Sequence, residues 1–207
     1  TVLRHRAAAP LELVLDNFTG VEHTGRVHAF FGYAEADLAA VETRVEARDD
    51  AVRVYNRGPQ RDIGRALRGL LGIRPGDHFV DDWTTRFAPV HVCYDQYWID
   101  PATGAPRPRR LRVAVVFVPA GPAVTDLFTF VYTNGGGGLG AQLTDRLLRP
   151  LLVGFTDLEV RLDLRLVSRL ADRDTALTGR RLGRFDRVLG EHRRRIDRLY
   201  RRPREVE

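Results

Sequence analysis

The middle of the chain constrains the fold most strongly, because it contains extended segments joined by short turns. Residues 79–100 are rich in aromatic and β-branched side chains, and two further strand-like segments follow at 111–119 and 125–134. A Pro- and Gly-containing stretch at 101–110 and a tight turn at 120–122 separate these segments. Consecutive strands joined in this way favour an antiparallel meander.

The residues before the meander supply shorter elements. Residues 11–18 predict a short strand, and residues 17–33 predict a helix or helix–turn interrupted by glycines. Apolar and polar residues alternate across 41–55 on either side of two aspartates, which predicts a hairpin. A short helix is expected at 62–72, where a glycine closes it.

Two helices are predicted after the meander. Residues 141–171 form a long helix with a bend at Pro150, and residues 179–202 form a very basic one. One face of the long helix is expected to carry leucines and to pack on the sheet. Its proposed members are Leu143, Leu147, Leu148, Leu151, Leu158, Leu162 and Leu166. The element order predicts an α+β, helix-grip-like fold, in which a curved antiparallel sheet wraps around a long C-terminal helix. With 207 residues, we expect a single domain spanning 1–207.

Composition limits the function classes. No run of eighteen apolar residues is present, so we expect no membrane span and a cytoplasmic protein. The formal charge is +6, and all 33 basic residues are arginine. Acidic residues interleave with the C-terminal arginines, so nucleic acid is not the expected partner. Cys93 is the single cysteine, which excludes an internal disulfide framework and an iron–sulfur cluster held by these residues.

The sharpest local feature is the pair His23 and His28, two of only six histidines. Five residues apart on an ideal helix, their side chains would diverge by roughly 140°. They can converge on one ion only if the helix loosens between them, and Gly25 lies where that could happen. The alternative is two unrelated polar histidines on a surface helix.

The residues around the histidines carry a family resemblance. Asp16-Asn17-Phe18 ahead of His23 and His28 resembles the iron-binding segment of Rieske non-haem iron oxygenases. The resemblance continues through a D-x-x-T-G loop at 100–104, a strand ending in Thr133-Asn134 and a long helix. It covers nearly the whole chain as a catalytic domain, and is nearest to the subgroup that includes vanillate O-demethylase.

The resemblance implies a third iron ligand, an aspartate early in the last long helix. Asp157 is the expected ligand and Asp163 the alternative; six residues apart, they differ by about 240° on a helix and cannot both face the cavity. Either could instead be a solvent-facing carboxylate. Two imidazoles and one carboxylate suit Fe(II) and leave positions open for O2. Other residues expected around the metal or in the substrate pocket are Asn17, His91 and Asn134.

The resemblance also implies an activity and partners. The expected reaction is O2-dependent hydroxylation or oxidative demethylation of a small apolar cyclic substrate. Electrons would come from NAD(P)H through a reductase or ferredoxin and a [2Fe-2S] Rieske cluster, and the Rieske domain is expected outside this chain. Gly20 stands where the family places an aspartate that bridges electrons to the iron. A homotrimer is the assembly to test for.

Other interpretations remain open from the residues alone. A metal-free small-molecule binding or carrier protein could share the same fold and cavity. An arginine-rich nucleic-acid module would predict binding that depends steeply on salt. The run at 135–140, GGGGLG, matches a dinucleotide-binding pattern, but no parallel βαβ unit follows it, so a loop beside the cavity is expected.

Overall fold

Seven strands form one antiparallel sheet in the order β1-β7-β6-β5-β4-β3-β2. The computed structural model describes residues 2–28, 30–134 and 139–201. The strands are β1 (Val2–Ala7), β2 (Glu42–Ala47), β3 (Ala51–Pro59), β4 (His78–Phe87), β5 (Val90–Ile99), β6 (Pro106–Gly121) and β7 (Val124–Asn134). The meander and the hairpin predicted from the sequence are confirmed, although residues 79–100 form two paired strands rather than one extended segment. The sequence did not predict β1, which pairs with β7.

Five α-helices accompany the sheet in the described part of the chain. They are α1 (Leu11–Phe18), α2 (Thr24–Val27), α3 (Arg65–Leu71), α4 (Leu139–Ser168) and α5 (Arg187–Ile196). A 3₁₀ helix (Glu35–Ala40) precedes β2, and one π-helical turn (Asp197–Arg201) follows α5. In these residues no helix combines the length and apolar character that crossing a membrane requires. The α+β class and the long helix after a curved antiparallel sheet are confirmed.

The prediction of a strand at residues 11–18 is wrong, because these residues form α1. A short apolar run does not distinguish a strand from a buried helix by its periodicity. In the folded chain Leu11, Val14 and Leu15 recur at helical spacing and are buried in the core. The helix ends at Phe18, and the segment that follows it lines the cavity on the concave face of the sheet.

The predicted leucine face of α4 is mostly the wrong face. Leu143 is 61% exposed and Leu147 is 72% exposed, and Leu151 and Leu158 are exposed as well. The buried positions recur every three or four residues and are Leu148, Leu152, Thr156, Val160, Asp163 and Val167. The helix therefore carries two apolar stripes, and the one that packs on the sheet includes an aspartate.

Candidate metal centre

His23 and His28 converge because α2 is only one turn long. His23 lies at the start of α2, and His28 follows its last residue with an extended backbone (φ −85°, ψ 143°). The two imidazole rings lie 5.1 Å apart between centroids and are nearly perpendicular, at 83°. The helix does not loosen at Gly25. A Cβ there would lie 2.9 Å from the backbone nitrogen of Glu35, so Gly25 permits the close approach of the 3₁₀ helix.

Arg61 holds the end of α2 in place. Its half-buried guanidinium donates hydrogen bonds to the carbonyl oxygens of Thr24 and Gly25, each at 3.3 Å, and to that of His28. The last carbonyls of a helix have no partner within the helix. The carbonyl of Thr24 already accepts the backbone N–H of His28 at 3.1 Å, and the charged donor adds to that bond while also binding the carbonyls of Gly25 and His28. These contacts fix the point at which His28 leaves the helix.

Asp163 joins the two histidines from α4. Its Oδ1 lies 3.1 Å from Nε2 of His23 and 2.9 Å from Nε2 of His28. The aspartate is 4% exposed, and both imidazoles are mostly buried. One ligand atom from each of the three residues lies within 4.8 Å of the others.

These distances fit a metal held on one face. Nitrogen and oxygen ligands about 2.1 Å from an ion, at right angles to one another, lie about 3 Å apart. The separations between each Nε2 and the carboxylate oxygen are close to that value. The donor set of two imidazoles and one carboxylate is also the set that Fe(II) prefers when positions must stay open. The residues present therefore fit the iron that the resemblance implies.

The same contacts shift the pKa values of Asp163 and His28. Burial alone would raise the pKa of Asp163, but hydrogen bonds from His23 and His28 outweigh it and lower that pKa to about 2. Burial alone would lower the pKa of His28, but the hydrogen bond and charge of Asp163 raise it above its ordinary value. The carboxylate is therefore ionised at neutral pH and available as a ligand.

Glu159 is a member of the site that the sequence reasoning missed. Its Oε2 lies 3.6 Å from Nδ1 of His28, on the ring edge opposite Asp163, and its Oε1 accepts a hydrogen bond from the backbone N–H of Phe30. Glu159 and Asp163 are four residues apart on α4 and so lie only about 40° apart around the helix. This spacing is the sequence signal that could have identified Glu159, because it places two acids on the same face of the helix as the buried positions.

The structure places Asp157 away from the histidines, so its predicted position is wrong. Its carboxylate accepts hydrogen bonds from Nε2 of His5 at 2.9 Å and from Nε of Arg161 at 2.7 Å. The turn of about 240° that separates it from Asp163 around the helix carries it to the side facing β1. The alternative, Asp163, occupies the position expected of the third ligand.

Of the remaining predicted pocket residues, Asn17 and His91 do not line the cavity, whereas the prediction for Asn134 is not tested. Asn17 lies on the last turn of α1 and does not line the cavity beside the histidines. His91 follows the β4–β5 turn, and its Nδ1 lies 2.8 Å from the carbonyl oxygen of Pro89. Asn134 ends β7, where its backbone pairs with Arg110, but its side chain lies outside the described residues, as does the loop at 135–138.

The three residues lie at the wall of a cavity of about 120 Å³. The walls come from the end of α1, the 20–33 segment, strands β4 to β6, and α4. Many of the lining side chains are apolar, including Phe18, Val21, Phe31, Phe79, Val113, Val115 and Val160. The polar ones include Asp81, Gln96 and Glu159. A ligand in this cavity would touch both the histidine–aspartate group and the concave face of the sheet.

Comparisons with known proteins show the fold. No protein-family model matches the chain, and no curated protein matches it by sequence. A structure of dicamba monooxygenase bound to 3,6-dichlorosalicylic acid aligns with a TM-score of 0.69 at 15% identity, over 96% of this chain and 58% of that chain. The QL mutant of NdmA from Pseudomonas putida CBB5, solved with caffeine, aligns with a TM-score of 0.61 at 12% identity, over 94% of this chain and 48% of that chain.

A smaller protein shares the same architecture. The ZhuI aromatase/cyclase from Streptomyces sp. R1128 aligns with a TM-score of 0.54 at 12% identity, over 82% of this chain and 93% of that chain. The chain therefore has a helix-grip-like fold of the kind found in oxygenase and aromatase/cyclase structures. It spans a little over half the length of the dicamba monooxygenase chain.

Proposed function

We propose that this chain is the catalytic domain of a Rieske-type oxygenase and that His23, His28 and Asp163 hold one Fe(II). The observation that carries the proposal is the convergence of two Nε2 atoms on one buried carboxylate oxygen at the wall of an apolar cavity. The family resemblance of the 16–28 segment and the fold shared with a monooxygenase support it.

When bound, the iron would supply the activation of O2 for hydroxylation or oxidative demethylation. The chain's own residues prepare the site for it. His23, His28 and Asp163 would hold the metal from one wall of the cavity, Glu159 lies beside the far edge of the His28 ring, and Arg61 fixes the backbone that carries this ring. Partners that orient a ligating imidazole typically change metal affinity 10- to 100-fold. The apolar walls exclude water and hold the substrate against the ligands.

The cavity supports a small cyclic substrate. An engineered apolar cavity of about 150 Å³ accepts benzene, and the cavity here is about 120 Å³. We propose a substrate with one ring, as in the acid bound by dicamba monooxygenase. Membership of the vanillate O-demethylase-like subgroup remains a proposal based on the resemblance alone.

The electrons would come from outside the described residues. We propose a [2Fe-2S] Rieske cluster as the donor, reduced from NAD(P)H through a reductase, and a homotrimer as the assembly. One departure from the family bears on this route. A Cβ at Gly20 would lie 3.3 Å from Nδ1 of His23, so a side chain there would reach the outer nitrogen, but glycine has none. A group other than an aspartate at position 20 must therefore bridge electrons from the cluster to the iron.

Metal analysis of protein reconstituted anaerobically with Fe(II) tests the proposal. We expect about one iron per chain, and loss of iron in His23→Ala and in Asp163→Ala with the circular dichroism spectrum unchanged. Asp157→Ala is the matched control, because it removes a carboxylate from the same helix but another face. Unchanged iron content in the His23 and Asp163 variants would contradict the proposal. Substrate oxidation should further require a Rieske protein and a reductase.

A metal-free binding protein is the second candidate. The alignment with an aromatase/cyclase over 93% of that chain shows that this fold also occurs at nearly this size on its own. In that case Asp163 would serve only to accept hydrogen bonds from the two histidines. Protein that takes up no iron, yet binds a ring compound as well in Asp163→Ala as in the wild type, would favour this candidate.

A further inference from the structure

A polar pair interrupts the apolar concave face of the sheet. On β4 the inward-facing residues around Asp81 are Phe79 and Trp83, and both are buried. On β5 the residue directly opposite Asp81 is Gln96. Strand alternation places Asp81 and Gln96 in the inward row, where their neighbours are aromatic. Both line the same cavity as the histidine–aspartate group.

The pair offers hydrogen-bond acceptors to the cavity. Nε2 of Gln96 donates to Oδ1 of Asp81 at 2.9 Å. Among the described residues, none donates to the second carboxylate oxygen of Asp81 or to the amide oxygen of Gln96. Asp81 is part-exposed although it sits within the fold, because its remaining surface faces the cavity. These two oxygens open onto the cavity and are placed to accept hydrogen bonds from a donor group on a ligand.

The charges of the lining residues also favour a hydrogen-bond donor over an anionic ligand. Three acids line the cavity, Asp81, Glu159 and Asp163, against two histidines, His23 and His28, and none of the described lining residues is an arginine. Burial raises the pKa of Asp81 to about 6, an effect that the Gln96 hydrogen bond and the charge of His28 partly oppose. The carboxylate is thus mostly ionised at neutral pH, and a ligand carboxylate would meet like charge in a poorly solvated space.

We propose that Asp81 and Gln96 form the polar anchor of the substrate subsite, which selects a single-ring compound with a hydrogen-bond-donating substituent, such as a ring hydroxyl, and disfavours ring carboxylates. As a statement about substrate, this inference rests on the proposed oxygenase function. As a statement about binding, it needs only the cavity. It separates this chain from dicamba monooxygenase, whose bound ligand is a ring carboxylic acid.

Binding of three probes of similar size to the metal-free protein tests the inference. Calorimetry with phenol, toluene and benzoate at neutral pH compares a donor, an apolar ring and an anion. We expect phenol to bind about tenfold more tightly than toluene, the gain typical of a hydrogen bond to a charged group, and benzoate to bind more weakly than either. Equal affinities for phenol and toluene, or no measurable binding of phenol, would overturn the proposal.

Two variants assign the selectivity to the pair. Asp81→Asn keeps the shape and removes the charge, so the preference for phenol over toluene should fall severalfold and benzoate should bind better. Gln96→Leu, a second variant, should also reduce the preference. Asp82→Asn is the matched control, because Asp82 is the next residue on β4 and pairs with Arg53 on the outer face. A preference that survives both pocket variants would refute the anchor.

The iron content of the same preparations separates this inference from the proposed function. Normal iron uptake without any phenol preference would remove the anchor and leave the oxygenase proposal intact. A phenol preference that depends on Asp81, in protein that takes up no iron, would support the anchor and contradict the oxygenase proposal.

Discussion

Replacing Asp163 with asparagine should lower the free energy of unfolding of the metal-free protein by an amount that depends on pH. The carboxylate is buried and accepts hydrogen bonds from two imidazoles. Asparagine keeps the volume and one oxygen but removes the charge. The two histidines would then lose a charged acceptor inside the fold, where hydrogen bonds to charged groups are stronger than neutral ones.

The shifted pKa values set the magnitude and the pH window. The pKa of Asp163 falls from its ordinary 3.8 to about 2 in the folded protein. Each pKa unit is worth about 1.4 kcal/mol, so ionised Asp163 contributes about 2 kcal/mol. Because the folded value is the lower one, this stability is complete above about pH 4 and is lost as the pH falls toward 2. His28 has a raised pKa, so its share of the same interaction is present below about pH 6.5 and declines as the pH rises through its folded pKa.

Urea unfolding in the presence of a chelator measures this difference. Near pH 5.5 the free energy of unfolding of the wild type should exceed that of Asp163→Asn by about 2 kcal/mol, and this difference should narrow below about pH 4. Asp157→Asn is the control, since its partly exposed pairs with His5 and Arg161 are expected to contribute about 1 kcal/mol or less. A gap that widens as the pH falls below 4, or a larger loss in Asp157→Asn, would refute the reasoning.

Three further predictions concern other parts of the molecule. His192→Leu should stabilise the protein in acid, because His192 is fully buried with neither ring nitrogen hydrogen-bonded to a described residue, and burial lowers its pKa to about 3. The unfolded chain therefore binds a proton below about pH 6.5 that the folded one does not, and near pH 5.5 urea unfolding should show a gain of about 1 to 2 kcal/mol over that at pH 7.5. Arg61→Ala should lower Co(II) affinity about tenfold in a spectroscopic titration, since it frees the end of α2; unchanged affinity would show that the turn holds itself. Leu152→Ala should cost about 2 to 5 kcal/mol in urea unfolding and Leu147→Ala about 0.5 or less, because only the first is buried; equal losses would mean that the exposed leucines are covered in solution.

Local patterns in the sequence determined much of the fold. Alternation and short turns predicted the meander and the hairpin, because strand pairing between neighbours in sequence depends on local order. The closing glycine at Gly72 predicted the end of α3, where it adopts a left-handed backbone. The sequence did not show β1, since its partner β7 lies more than a hundred residues away and alternation in six residues is weak evidence.

The site divides in the same way. The sequence singled out His23 and His28 because the motif around them is local, but it expected a helix that loosens at Gly25 and not the one-turn helix that the structure has. Tertiary packing alone decided between Asp157 and Asp163, since α4 carries apolar residues on two faces and could bury either. The stripe of α4 that packs on the sheet contains Asp163. Asp157 lies about 240° away around the helix axis and is therefore beside His5. The direction that a helix faces depends on the whole surface it packs against, which no short stretch of sequence records.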